Sequence, residues 1–230
     1  MRKVFQILLV VVLASTPSLA QRKPIQKPAS VKPPAVVPVR EIVDKGGVSG
    51  RTYTNERLNF SVTFPDTWLV PDNDFEGYMK KQGFDLSLKA PDNLGMAEKA
   101  KINQSLKRVQ ILVTAYRSMP GSTENAIMRV SAEDLKAYPH VKDAVDYFDL
   151  MRAVFKTMKL PPDFRYSETD AEKLGSHQFA FLDVSSKAGK KRLYATVRNG
   201  FAILFTLTYT KDNDLQTMRQ ILTDGNFKLR

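Results

Sequence analysis

The stretch RLYATVRNGFAILFTLTYT, residues 192–210, decides the fold. Two runs rich in β-branched and aromatic residues flank Asn199-Gly200, and both residues of that pair tolerate the positive φ that a two-residue type I′ hairpin turn demands. Residues 192–198 and 201–210 are therefore read as antiparallel neighbours. Upstream, residues 177–184 form another β-rich run, and Lys187-Ala188-Gly189-Lys190 is the turn that extends the hairpin into a meander. Downstream, Asp214 is placed to cap a closing helix with Leu215, Met218 and Leu222 on one face. Gly225 supplies the stop at the C′ position and Phe227 turns back into the core.

The front of the domain carries the same β signal. Leu58, Phe60, Val62 and Phe64 alternate with Arg57, Asn59, Ser61 and Thr63, which predicts a half-buried strand ended by Pro65. Trp68, the single tryptophan, follows at once and is expected to pin the sheet corner by its burial. Further strands are expected over 84–88 and 106–116, the second with Val109, Ile111 and Val113 on one face. The middle third changes period. Ser131-Ala132-Glu133-Asp134 reads as a helix start capped by Ser131, in a short piece ended by Pro139. A longer helix is predicted over 142–159, where Ala144, Phe148, Met151, Phe155 and Met158 form one apolar stripe, closed by Pro161 and Pro162. These elements predict an α+β fold: an antiparallel β-sheet flanked by helices, an α/β/α sandwich, in one domain over 51–230.

Before that domain the composition changes twice. Arg2 and Lys3, an apolar run over 7–14 and the small residues Ser18 and Ala20 match an export signal cleaved between Ala20 and Gln21. The run is well short of the ~20 apolar residues of a membrane-spanning helix, so no transmembrane span is expected after processing. Residues 21–50 read as a basic Pro-rich linker, in which Pro24, Pro28, Pro33, Pro34 and Pro38 favour extended polyproline II geometry. Lys23, Lys27, Lys32 and Arg40 make it either a solubilising spacer or a tether to an anionic surface.

The net charge of +11 is concentrated in these leading segments: residues 21–50 hold six Lys/Arg against two Asp/Glu. Export then points away from nucleic acid and toward an envelope protein or an anionic surface polymer, in a periplasmic or extracellular and bacterial setting. The chain has no cysteine, which excludes disulfides, thiolate metal sites and a lipid-modified Cys.

The pattern Tyr53, Leu58-Asn59-Phe60-Ser61-Val62, Phe64-Pro65 and Trp68 is joined by a second set of positions toward the C-terminus. These are Leu174-Gly175, Arg192-Leu193-Tyr194, Asn199-Gly200-Phe201, Leu204-Phe205-Thr206, Ile221-Leu222 and Asn226-Phe227. Over about 51–228 this resembles the PsbP-like family, which includes a photosystem II extrinsic subunit and bacterial envelope proteins of the DcrB type. Asn226 stands where such families commonly have Ser. The resemblance implies an antiparallel sheet flanked by helices, a non-catalytic role and, in the best-known member, docking to an acidic assembly through basic residues. No motif here carries that docking surface over residue by residue.

Residue chemistry adds little to point to catalysis. His140 and His177 lie on different elements, and no Ser sits in a G-x-S-x-G elbow. Asp72, Asp74 and Glu76 with Gly77 imitate the first half of a calcium loop, but Gly83 occupies the place of its closing Glu. Those three carboxylates are the candidates for an alternative function, an extracytoplasmic hydrolase. Asp143, one helical turn from His140, reads as a helix cap. The sharpest positive cluster is Lys187, Lys190, Lys191 and Arg192, read either as protection of a hairpin edge or as an anion-docking patch. No cofactor and no metal are expected. The resulting expectation is an exported, non-enzymatic binding or assembly accessory of the cell envelope.

Overall fold

The computed structural model describes residues 44–71, 75–83, 95–122, 124–158, 160–187 and 189–227. Eleven strands and four helices are found among them. The strands are β1 (Gly47–Ser49), β2 (Thr52–Asn55), β3 (Phe60–Thr63), β4 (Val109–Tyr116), β5 (Ile127–Asp134), β6 (Arg165–Tyr166), β7 (Asp170–Leu174), β8 (His177–Ser186), β9 (Gly189–Arg198), β10 (Phe201–Tyr209) and β11 (Asn226–Phe227). The helices are α1 (Phe75–Lys81), α2 (Met96–Leu106), α3 (Ala144–Thr157) and α4 (Asp212–Thr223). The fold is α+β and its sheets are antiparallel.

A seven-stranded sheet runs β4-β5-β10-β9-β8-β6, with β7 also paired to β8. A smaller sheet has the order β1-β2-β3-β11. Asn199 and Gly200 take φ of 50° and 77°, the left-handed values of the predicted turn, and β9 and β10 pair in full register from Phe201↔Arg198 to Tyr209↔Lys190. The residues that alternate along these strands separate two cores. On one face of the large sheet Leu182, Leu193, Ala195 and Leu204 pack under Tyr147, Phe148, Met151, Val154 and Phe155 of α3. On the other, Phe179, Tyr194, Ile203, Phe205 and Leu207 meet the inner side of the small sheet together with Met218, Ile221 and Leu222 of α4. The layer opposite α3 is thus shared by a helix and a sheet.

Phe227 joins these layers. Its ring stacks on Phe60 at 5.9 Å and meets the edge of Phe179 at 5.1 Å, so the last strand is fastened by aromatic contacts to both sheets. Trp68 is buried as expected and its carbonyl accepts from Arg51.

Several sequence expectations are corrected. Residues 131–134 end strand β5, which pairs with β10 on one side and β4 on the other; bonding on both sides overrides the local helix-start pattern. Leu106 closes helix α2, and β4 starts only at Val109. A register shift between Ile111 and Val113 then sends Val109 to the α3 side and Val113 to the opposite core, so the expected single face does not exist. Asp214 is not a cap: Lys211 holds that position without a side-chain bond, while Asp214 lies in the first turn, 4% exposed. Gly225 does follow the C-cap residue Asp224, but its φ is not positive; a side chain there would strike the Phe227 ring. The first strand among the described residues, β1, lies inside the segment read as linker, because Gly47–Ser49 pairs with Thr52–Thr54 in a hairpin. The expected strand over 84–88 lies outside the described residues.

Candidate functional site

The basic cluster predicted from sequence is taken apart by strand alternation. Lys191 shares the α3 face with Leu193 and Ala195 and is only 5% exposed. Burial, reinforced by the neighbouring Arg129 charge, pulls its pKa down to about 7. Arg192 points to the opposite face, where Nε and Nη2 donate to the two carboxylate oxygens of Asp183 at 2.7 and 2.6 Å. Its guanidinium also lies 4.5 Å from the centre of the Phe181 ring. Lys190 is exposed and 3.9 Å from Asp212. Lys187 is exposed in the turn, and its backbone N–H donates to Asp163 Oδ2 at 2.6 Å, which holds that carboxyl below its usual range. The four residues form no common patch. Their hairpin is also interior to the sheet, flanked by β10 and β6, so it does not shield an edge.

Lys23, Lys27, Lys32, Arg40, Ala20, Gln21, Asp72 and Asp74 lie outside the described residues, and Glu76 falls in the first turn of α1. Asp143 caps α3, its Oδ1 accepting from the N–H groups of Val145 and Asp146 at 2.9 Å each. His140 is exposed beside the Tyr138 ring. His177 stacks on Phe227 at 5.2 Å; Arg198 Nη2 lies 3.3 Å from Nδ1 and Thr196 Oγ1 lies 3.0 Å from Nε2. Burial, then the Arg198 charge, lowers its pKa to about 4, so the ring is neutral and packs as a structural residue. Among the described residues no three His, Asp or Glu side chains are grouped to hold a metal ion, and no helix is long and apolar enough to cross a membrane.

The structure instead brings together a cleft of about 350 Å³ on the small sheet, lined by Thr54, Asn55, Glu56, Asn59, Phe60, Ser61 and Asn226. Strand pairing builds it. Thr54 lies opposite Ser61 and Ser61 opposite Asn226, so three short polar side chains from β2, β3 and β11 stand in a row. Their neighbours Tyr53, Phe60, Val62 and Phe227 point the other way into the core.

At one end the turn 55–59 closes the cleft, and its shape is fixed by hydrogen bonds. Asn55, 1% exposed, donates from Nδ2 to Asp44 O at 2.7 Å and to Tyr53 Oη at 3.1 Å, while its Oδ1 accepts from Leu58 N–H at 2.9 Å. Asn59 has φ of 54° and donates its N–H to Glu56 O at 3.2 Å. From the large sheet, Arg198 Nη1 donates to Asn59 O at 3.2 Å and Asn199 Nδ2 to Arg57 O at 2.7 Å. The Arg57 guanidinium in turn sits 5.7 Å from the Phe201 ring centre.

This arrangement presents hydroxyl and amide groups on a rigid frame, which suits hydrogen bonding to a polar partner. Among the described lining residues Glu56 is the one acidic side chain. Sequence reading missed the cleft because Asn226 is far along the chain from Thr54. The one local signal is the alternation of Thr52, Thr54, Ser61 and Thr63 with buried apolar neighbours, which marks an uncharged outer face.

The fold and cleft define an α+β protein with two antiparallel sheets and a polar surface site. No protein-family model matches the chain, and no curated protein matches it. Among solved structures it is similar to cyanobacterial PsbP (CyanoP) from Synechocystis sp. PCC 6803, at 12% sequence identity over 80% of this chain and 98% of that one, with a TM-score of 0.42.

Proposed function

We propose that this chain is an exported, non-enzymatic binding or assembly accessory of the cell envelope, holding its partner at the cleft on the small sheet. The observation that carries the reading is the cleft lining: Thr54, Ser61 and Asn226 stand in a row of hydroxyl and amide groups, on a frame that Asn55, Arg198 and Asn199 fix by hydrogen bonds. Such groups recognise polar surface by hydrogen bonding. The export signal and basic linker read from the sequence supply the setting. Cleavage after Ala20 leaves Gln21 as the first residue, and Lys23, Lys27, Lys32 and Arg40 precede the fold. Membership of the PsbP-like family is part of the same proposal. It is motivated by the pattern that includes Phe60, Val62, Trp68, Phe201, Phe205 and Phe227, all of which are core residues. The partner is an envelope protein or an anionic surface polymer.

Two measurements test this. N-terminal sequencing of the protein from the envelope fraction of its native cells should give Gln21; recovery of the intact chain in the cytoplasm overturns the export. Affinity capture with the mature protein should recover an envelope component, and Ser61→Arg should abolish the capture without changing the fold. Equal capture by that variant rejects the cleft as the docking site.

A further inference from the structure

A buried carboxyl outside the cleft joins three elements. Glu133, near the end of β5, is 1% exposed, yet its side chain meets charged and polar groups from two other parts of the fold. From α3, Tyr147 Oη donates to Glu133 Oε2 at 2.9 Å. From the junction between α2 and β4, Arg108 Nε lies 3.7 Å from Glu133 Oε1, an ion-pair distance longer than a hydrogen bond. The Arg108 guanidinium also sits 5.4 Å from the centre of the Tyr138 ring, in the connection between β5 and α3. The groups acting on this carboxyl are therefore Arg108, Tyr147 and Tyr138 on the packed elements, with Asp134 on its own strand.

We infer that Glu133 is a proton-operated latch: its charge state determines how firmly Arg108, and with it the α2–β4 junction, is held against the sheet. The chemistry is one proton on one carboxyl oxygen. Tyr147 can donate to Oε2 in either state, so that bond keeps α3 in place throughout. Oε1 responds differently. As a carboxylate oxygen it attracts Arg108, whose side chain is 30% exposed, across a partly screened gap; in the protonated acid that attraction is lost. Burial raises the proton affinity of Glu133, and the bond from Tyr147 and the charge of Arg108 partly oppose this, leaving the group with a pKa of about 7. The latch therefore operates in the neutral range and would let an exported protein respond to external pH.

The test is hydrogen exchange of the peptide over 96–108 in the full chain at pH 5.5 and 8.0. Exchange is corrected for its intrinsic pH dependence and compared with β9 and β10 as internal reference. The wild type should gain roughly two- to five-fold relative protection at pH 8.0, the scale of a partly screened ion pair. Glu133→Gln should stay at the low-pH level throughout. A second measurement does not depend on the variant folding: carbon NMR of the labelled Glu carboxyls in the wild type should show one group titrating near 7. The same pH response in both proteins, or no Glu carboxyl titrating above 6, overturns the latch.

Discussion

Asn199 and Arg57, 142 residues apart in the chain, are joined by a single hydrogen bond of 2.7 Å from the Asn199 amide to the Arg57 carbonyl. The bond ties the tip of the β9–β10 hairpin to the turn that closes the cleft. It also couples two left-handed asparagines, since Asn199 has φ of 50° and Asn59, two residues beyond Arg57, has φ of 54°. Replacing Asn199 separates two contributions. Asn199→Gly keeps the backbone conformation and loses only the tie, about 1 kcal/mol. Asn199→Ala loses the tie and adds left-handed strain, for a total of about 2 kcal/mol. Denaturant midpoints of the two variants should fall in that order.

A larger loss is expected at Gly175, in the turn between β7 and β8. Its φ is 58°, and a Cβ there would drive into the backbone carbonyl of Thr223 at the end of α4. Neither backbone can yield without moving the helix from the sheet, so Gly175→Ala should cost about 3 kcal/mol or more and lower the melting temperature accordingly.

Asp214 sets a third expectation. Its Oδ1 accepts from Arg117 Nη1 at 2.8 Å, and Arg117 also donates to Glu124 O, so this pair fastens α4 to the loop after β4. Arg117→Met leaves a nearly buried carboxylate without its cation and should destabilise by about 3 kcal/mol. The double variant with Asp214→Asn should recover part of that, and a double-mutant cycle measured by denaturation would show the coupling.

Two buried ionisable groups predict an unusual pH profile. The folded-state pKa of Glu133 is raised from 4.5 to about 7, so the folded form holds its proton more tightly and stability falls as pH rises from 4.5 to 7. Lys191 is lowered from 10.5 to about 7; the unfolded form then binds more protons, and stability rises from pH 7 to 10.5. Each contributes on the order of a few kcal/mol, giving a local minimum near neutrality. Denaturant titrations between pH 4 and 10 should show the falling limb vanish in Glu133→Gln and the rising limb vanish in Lys191→Met.

Local signals made much of the fold legible. The Asn199-Gly200 turn and the alternation of Phe60, Val62 and Phe64 are properties of adjacent residues, and both are realised. The stripe through Phe148, Met151 and Phe155 likewise reports one helix face. Ser131-Ala132-Glu133-Asp134 misleads because its strand state depends on β4 and β10, partners distant in sequence. The bulge in β4 defeats strict alternation for a similar reason: an extra residue changes the face without changing the composition. For the basic cluster the signal was present. Lys191 stands two residues from Leu193 and four from Ala195, so the period of the strand itself places it inside. The cleft was least legible, because pairing through β3 creates the row Thr54, Ser61 and Asn226 and no short motif encodes it.

The most direct test of the docking role is site-specific photo-crosslinking in the native cells, with a photoreactive side chain placed at Thr54 in one protein and at Lys190 in another. Both positions are exposed, one in the cleft and one at the start of β9. Position 54 should yield a discrete adduct with an envelope component, and position 190 none. An adduct from 190 alone, or no adduct from 54, would contradict a partner held at the cleft.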